Sequence, residues 1–207
     1  MTLFIISGCN DDFLDRFPET SIGKENFFNT AEDLQIYINN LYDFPASGMY
    51  TADAYSTSDN AESTGVTEIK TIMTTAASSS TIAGGWNWGK LRTINFFLEN
   101  FNKADIAEGD LNHFEGLARF FRARFYIGKI QRYSDGPWYE KTLETDDADL
   151  YKGRDSRELV IEKIFEDYAF AAEHVKENQL PGAVDKHVVL AYQARHALYE
   201  GTFRKYH

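Results

Sequence analysis

Few positions in this 207-residue chain hold residue types in an order that could do chemistry. The first is the single cysteine, Cys9, preceded by Ile5, Ile6, Ser7 and Gly8 and followed by Asn10, Asp11 and Asp12. Small residues ahead of a cysteine in an extended, accessible segment fit a bacterial lipobox. There the thiol takes a diacylglycerol, and the amino group exposed by cleavage is acylated. Two or three acyl chains anchor a protein stably, because each buried methylene contributes about 0.8 kcal/mol. A lone cysteine can instead be buried as a small hydrophobe, but a core position fits poorly between an apolar leader and the acidic stretch NDDFLD. A secretory leader has a basic start and an apolar run of about 7 to 15 residues. Eight residues precede Cys9 and none is Lys or Arg, so the expectation is that Met1 is not the natural start.

Other candidate chemistry is weaker. GGWNWGKL, residues 84–91, satisfies G-x-x-x-x-G-K, but a phosphate loop needs Ser or Thr after the lysine and an apolar strand before the first glycine. Leu91 follows Lys90, and a Ser/Thr-rich stretch precedes Gly84, so the glycines read as a helix entry. There is no G-x-S-x-G and no H-E-x-x-H, and His113, His174, His187, His196 and His207 lack ligand spacing. The run Asp146, Asp147, Asp149 lacks the glycine and closing glutamate of a calcium loop. With 32 acids a glycosidase pair always has candidates, and nothing singles one out. The residues therefore predict no metal, no cofactor and no catalytic group.

Composition narrows the partners. Lys and Arg total 21 against 32 Asp and Glu, and a net charge of −11 without a basic stripe argues against nucleic acid. Aromatics reach 15%, which a core and a stacking surface would both use. One cysteine excludes an intrachain disulfide. No apolar run approaches the roughly 18 residues of a membrane span.

The elements that must position any site read as helices. Residues 30–44 start with Thr30 and Asp33 in capping-box spacing and put Leu34, Ile38 and Leu41 on one face. Residues 45–85, rich in Ser, Thr, Ala and Gly, read as a long loop with short helical turns. Residues 86–104 align Leu91, Ile94, Leu98 and Phe101. Residues 111–133 align Leu117, Phe121, Phe125 and Gly128, beside Phe114 and Ala118, and the short link between these two segments predicts a hairpin. After an irregular acidic connection, Asp155 and Glu158 are expected to cap a helix with Ile161, Ile164, Phe165, Tyr168, Ala172 and Val175 on one face, ending near Pro181. A last helix offers Leu190, Ala194, Ala197 and Leu198. It reaches His207 without a stop signal, as if the chain were cut short. Small residues (Ala118, Gly128, Ala171, Ala172, Ala191, Ala194) mark where backbones could approach. The pattern predicts an all-α array of helix hairpins like tetratricopeptide repeats, with long loops.

Six motifs in order resemble the SusD/RagB family of outer-membrane lipoproteins from Bacteroidota. CNDDFLDRFP is similar to the family's lipidated opening, with Cys9, Leu14, Asp15 and Pro18 in register. The first helix ends in Asn40, Leu41 and Tyr42, like the family's small-residue-then-Tyr signature, and the second carries its Ile-Asn pair as Ile94 and Asn95. GLARFFRARFYIGKIQRYSDGPW resembles the most specific block, with Arg122, Ala123, Tyr126, Asp135 and Pro137 matched. Leu117, Ser134 and Gly136 depart from the usual Glu, Gly and Val. GRDSRELVIEKIFEDYAFAA matches the next pattern, with Gly153 in place of a frequent Pro, and ARHALYEGTFRKYH resembles the last scaffold helix.

Family members are commonly more than twice this length, so the resemblance implies an amino-terminal half. Residues 1–8 would be a truncated signal peptide, 9–29 a lipidated tether, and 30–207 a SusD-like helical domain incomplete at its carboxyl end. It further implies a surface-exposed lipoprotein, anchored in the outer membrane through Cys9, that binds glycans for a SusC-like TonB-dependent transporter and performs no catalysis. Trp86 and Trp88, with Tyr55, Asp59 and Asn60 in the long loop, are the expected glycan contacts, though Trp88 also fits packing at a helix start. Arg122 and Arg195, beside alanines, are expected to be buried ion-pair partners. A different reading is a helical interaction scaffold without glycan affinity of its own.

Overall fold

The computed structural model describes residues 27–44, 65, 68–78, 80–82, 84–177 and 179–207. Among these are six α helices: α1 (Ala31–Asn39), α2 (Glu68–Met73), α3 (Gly89–Asn100), α4 (Glu108–Tyr133), α5 (Arg157–His174) and α6 (Lys186–Tyr206). There are also two single 3₁₀ turns, Phe101–Lys103 and Ala148–Tyr151, and one isolated β-bridge, Gly136 to Asp155. The all-α expectation holds. None of these helices is long and apolar enough to cross a membrane. Cys9, Tyr55, Asp59, Asn60 and most of the expected leader and tether lie outside the described residues.

Helix α4 is the axis. Its buried residues fall on more than one side, from Phe114, Leu117 and Ala118 to Phe120, Phe121, Ala123, Tyr126, Ile127 and Ile130. Such a pattern requires neighbours around most of the circumference. Helices α1, α3 and α5 pack against it, and α6 packs on α5, so consecutive hairpins stack as the periodicity predicts. The capping box of α1 forms as read: Asp33 N–H donates to Thr30 Oγ1 at 3.2 Å, and Thr30 N–H donates to Asp33 Oδ2 at 3.0 Å. Leu34, Ile38 and Leu41 are all buried.

Four local expectations change. The close approach of α4 to α5 falls at Gly116, where a Cβ would meet Val175 Cγ2 at 2.9 Å, while Gly128 faces open space. The N-cap of α5 is Ser156, whose side chain accepts from Leu159 N–H. Asp155 turns away to accept from Trp138 N–H at 2.7 Å and to pair with Lys152 at 2.7 Å. Helix α6 buries Val189, His196 and Glu200, not the apolar stripe that includes Leu190 and Leu198. The reason is polar pairing across α5: His196 Nδ1 lies 2.7 Å from the Tyr168 hydroxyl, and Glu200 accepts from Arg157 Nη2 at 2.7 Å. Burial pushes the His196 imidazole down to about 4, so it is neutral when packed. Finally, Arg195 is exposed, not buried.

Arg122 does what its alanine-flanked position predicts. Its Nε and Nη2 donate to the two carboxylate oxygens of Asp167, each at 2.7 Å, and both residues are buried. Removing one partner of such a pair strands a buried charge, which typically costs about 3 to 5 kcal/mol, whereas an apolar replacement of both is often neutral. Asp167→Ala is therefore expected to lower the free energy of denaturant unfolding by about that amount, and the double variant Arg122→Met, Asp167→Leu by much less. Equal losses in the two would show that packing, not charge, dominates the site.

Candidate functional site

Residues 137–154 fold back over the start of α3 and enclose a groove of about 540 Å³. Its floor and walls are Trp86, Trp88, Leu91, Asn95, Tyr139 and Leu150, with Arg92, Lys141, Lys152 and Arg154 also lining it. The loop stays in place because side chains of α3 and α4 fasten its backbone. Asn95 Nδ2 donates to the carbonyls of Tyr139 and Lys141, both at 3.0 Å. The Tyr126 hydroxyl donates to Pro137 O at 3.2 Å and accepts from Tyr139 N–H at 2.8 Å, while the Trp138 ring stacks on Tyr126 at 4.2 Å. Burial pushes the Tyr126 phenol far above its usual range, so it stays a neutral donor. Asp135 adds the last tie, accepting from Arg157 N–H at the start of α5 at 3.1 Å.

The aromatic members form one edge-to-face cluster. Trp86 meets Trp88 at 5.0 Å and Tyr133 at 4.8 Å, with interplanar angles of 81° and 88°. Trp88 continues to Tyr139 at 5.8 Å. Such contacts hold ring orientation and add roughly 0.5 to 1.5 kcal/mol per pair beyond area burial. Trp88 is half-buried, while Trp86 keeps 41% of its surface exposed. Trp88 thus has the packing role left open for it, and Trp86 presents a braced, solvent-facing ring.

Cations surround these rings. The Arg154 guanidinium lies 4.9 Å from the Trp86 ring centroid, and Lys152 Nζ lies 5.3 Å from that of Tyr139. Lys152 also donates to Trp138 O, Arg92 donates to Leu143 O, and Lys141 sits between Asp147 and Asp149 at 3.0 and 3.2 Å. Two other depressions are less suited to an uncharged ring face. One, of about 250 Å³, is the ion-pair cluster around Arg119, Arg122, Glu140, Lys163 and Asp167. The other, of about 580 Å³, has Lys90 and Arg124 sharing Asp43. No cluster of potential metal ligands occurs among the described residues.

Of the sequence candidates, Trp86 and Trp88 come together in the groove. Sequence reasoning missed Asn95 as the loop clamp and the cations of residues 141–154. That connection reads as acidic, and only its folding against α3 separates the lysines and arginine lining the groove from exposed Glu144 and Asp146. The Ile94-Asn95 pair was the available signal for the clamp, since an amide inside an apolar helix face demands partners.

The described residues thus place an aromatic groove on a helix-hairpin array. Its fold is that of SusD-like proteins. A SusD-like protein from Bacteroides fragilis matches with a TM-score of 0.63 and 20% identity, over 91% of this chain and 39% of its own. A SusD-like carbohydrate binding protein from Bacteroides vulgatus matches with a TM-score of 0.57 and 22% identity, over 86% of this chain and 43% of its own. The chain spans about two-fifths of the length of these structures. No family model and no curated protein matches the sequence.

Asn95→Ala strands two loop carbonyls, and leaving buried groups unpaired costs about 1 to 3 kcal/mol. The expected outcome is that loss of stability together with faster amide hydrogen exchange in residues 139–143. Unchanged exchange there would show that other contacts suffice to hold the loop.

Proposed function

We propose that this chain is the helical part of a cell-surface lipoprotein of the SusD/RagB family that binds glycans in the groove described above. It would be anchored in the outer membrane through Cys9 and deliver its ligand to a SusC-like TonB-dependent transporter. The observation that carries the glycan reading is the Trp86 ring, 41% exposed yet braced by Trp88 and Tyr133. A pyranose presents an apolar face that stacks on such a ring and a polar edge that takes hydrogen bonds, so binding needs no acid, base or metal. A rigid aromatic loses little side-chain freedom on binding. The fold supports the reading, as does the description of the Bacteroides vulgatus protein as carbohydrate binding. Tyr55, Asp59 and Asn60 remain proposed flanking contacts.

Titration of the intact chain with a panel of polysaccharides and oligosaccharides tests this. Binding to at least one is expected, weakened tenfold or more, about 1.4 kcal/mol, by Trp86→Ala. No binding to any glycan, with co-purification of a barrel transporter, would favour a second reading: a helical scaffold whose partner is protein. That reading draws on the outward face of α6, where Leu190 and Leu198 are 43% and 70% exposed.

The anchor is tested separately. In a bacterial host that processes lipoproteins, radiolabelled fatty acid is expected to label the full protein with its native leader and not its Cys9→Ala variant. Equal labelling of both would end the lipobox reading.

A further inference from the structure

The groove offers hydrogen-bond donors with almost no acceptors. Arg92, Lys141, Lys152, Arg154 and the two indoles can only donate. The Tyr139 hydroxyl donates its proton to Asp149 O at 3.0 Å, which leaves its oxygen able to accept. Asn95 uses its amide nitrogen on the loop, and its oxygen is buried without a partner, out of a ligand's reach. Several loop carbonyls are also engaged: Trp138 O by Lys152, Tyr139 O and Lys141 O by Asn95, Leu143 O by Arg92. Among the described residues no carboxylate lines the groove. A neutral sugar presents hydroxyls that donate as well as accept, and half of that capacity would go unmatched here. A carboxylate or sulfate only accepts, and matches a wall rich in donors.

Charge points the same way. In a chain of net charge −11, the described residues place four cations and no acid on this one surface. Their carboxylate partners, Glu144, Asp147, Asp149 and Asp155, are not among the lining residues. At physiological salt the field is screened over about 8 Å, so a bound anion feels the groups nearby: Arg92, Lys141 and Lys152, each partly offset by its paired carboxylate, and Arg154, which has no such partner among the described residues. Gly89, the first residue of α3, lines the groove too, and the positive end of that helix dipole adds to the field. Arg154 is the decisive group. It is exposed and makes no ion pair within the described residues, and its guanidinium lies 4.9 Å from the Trp86 ring. A guanidinium that stacks on a ring keeps its N–H edge for bidentate binding of an anion.

Building on the glycan reading, we propose that the groove selects acidic saccharides. A uronate or sulfated sugar ring stacks on Trp86, its anionic group is held by Arg154, and Lys152 and Arg92 offer further N–H donors beside it. The anion projects from the rim of the sugar ring, the side on which a cation next to the platform can reach it.

Calorimetric titration of the intact chain with four probes tests the proposal: an oligogalacturonate, the same oligosaccharide methyl-esterified, a chondroitin sulfate oligosaccharide and a maltooligosaccharide. The expected result is that at least one acidic probe binds about tenfold or more tighter than the ester and the neutral probe, the scale of one charge-assisted bond. That preference is expected to vanish in Arg154→Gln, to survive in part in Arg154→Lys, and to be unchanged in Arg195→Gln, which alters an exposed arginine lining the other cationic depression. The tighter of the two acidic probes identifies the anion as carboxylate or sulfate. Equal binding of oligogalacturonate and its ester, with Trp86→Ala still abolishing both, would overturn the acidic preference and leave the glycan reading standing. Acidic binding that ignores both Arg154→Gln and Trp86→Ala would place it elsewhere and overturn the proposal. Failure of all four probes would overturn it as well, and failure across the wider glycan panel would remove the reading beneath it.

Discussion

The bidentate pair between Arg122 and Asp167 is the constraint around which the rest is arranged. Two charges almost without solvent access must meet in one geometry or not be buried at all, so the register of α4 against α5 is restricted at that point. Gly116, six residues earlier on α4, leaves room for the Val175 side chain, whose Cγ2 a Cβ there would meet at 2.9 Å. Net stabilisation from such a pair is modest, because desolvation offsets most of the attraction. Its importance lies in fixing the geometry: a shift of α4 along α5 would break the bidentate bond of Arg122 to Asp167.

From that pair the order passes to the groove. The Trp138 ring lies 5.2 Å from the Arg122 guanidinium and stacks on Tyr126, one turn along α4 from the arginine. Tyr126 holds Pro137 and Tyr139, Asn95 holds Tyr139 and Lys141, and Asp155 holds Trp138. A long irregular connection is thereby tied to two helices at successive points, which gives a loop the rigidity that presenting a ligand surface requires. The most specific of the sequence motifs, from Gly116 to Trp138, is read physically as this chain of fastenings. Arg122 secures the helix pair, Tyr126 the loop, and Asp135 the first turn of α5.

Much of this was legible in the sequence. Thr30 with Asp33 announced a helix start, and Leu34, Ile38 and Leu41 its buried face, because caps and a period near 3.6 are local properties of a chain. The exposed aromatic candidate was also visible as Trp86 beside the glycines that end a loop. The errors share a cause. Asp155 was read as a cap and Leu190 and Leu198 as core, yet Asp155 serves Trp138 and Lys152, and α6 turns His196 and Glu200 inward. In each case a polar side chain had a partner distant in sequence, at Trp138, Tyr168 or Arg157, that local pattern cannot display.

By itself, then, the sequence determined the helical class and the hairpin order, since these follow from periodicity, capping and composition over a few neighbouring residues. Only the tertiary structure decided which face of α6 is buried, and that Asn95 clamps a loop 44 and 46 residues away. It alone decided that an acidic connection delivers Lys141, Lys152 and Arg154 to one groove that its own carboxylates do not line. Those outcomes depend on satisfying buried polar groups and on the sign of charge at a surface, and both are set by partners far apart in the chain.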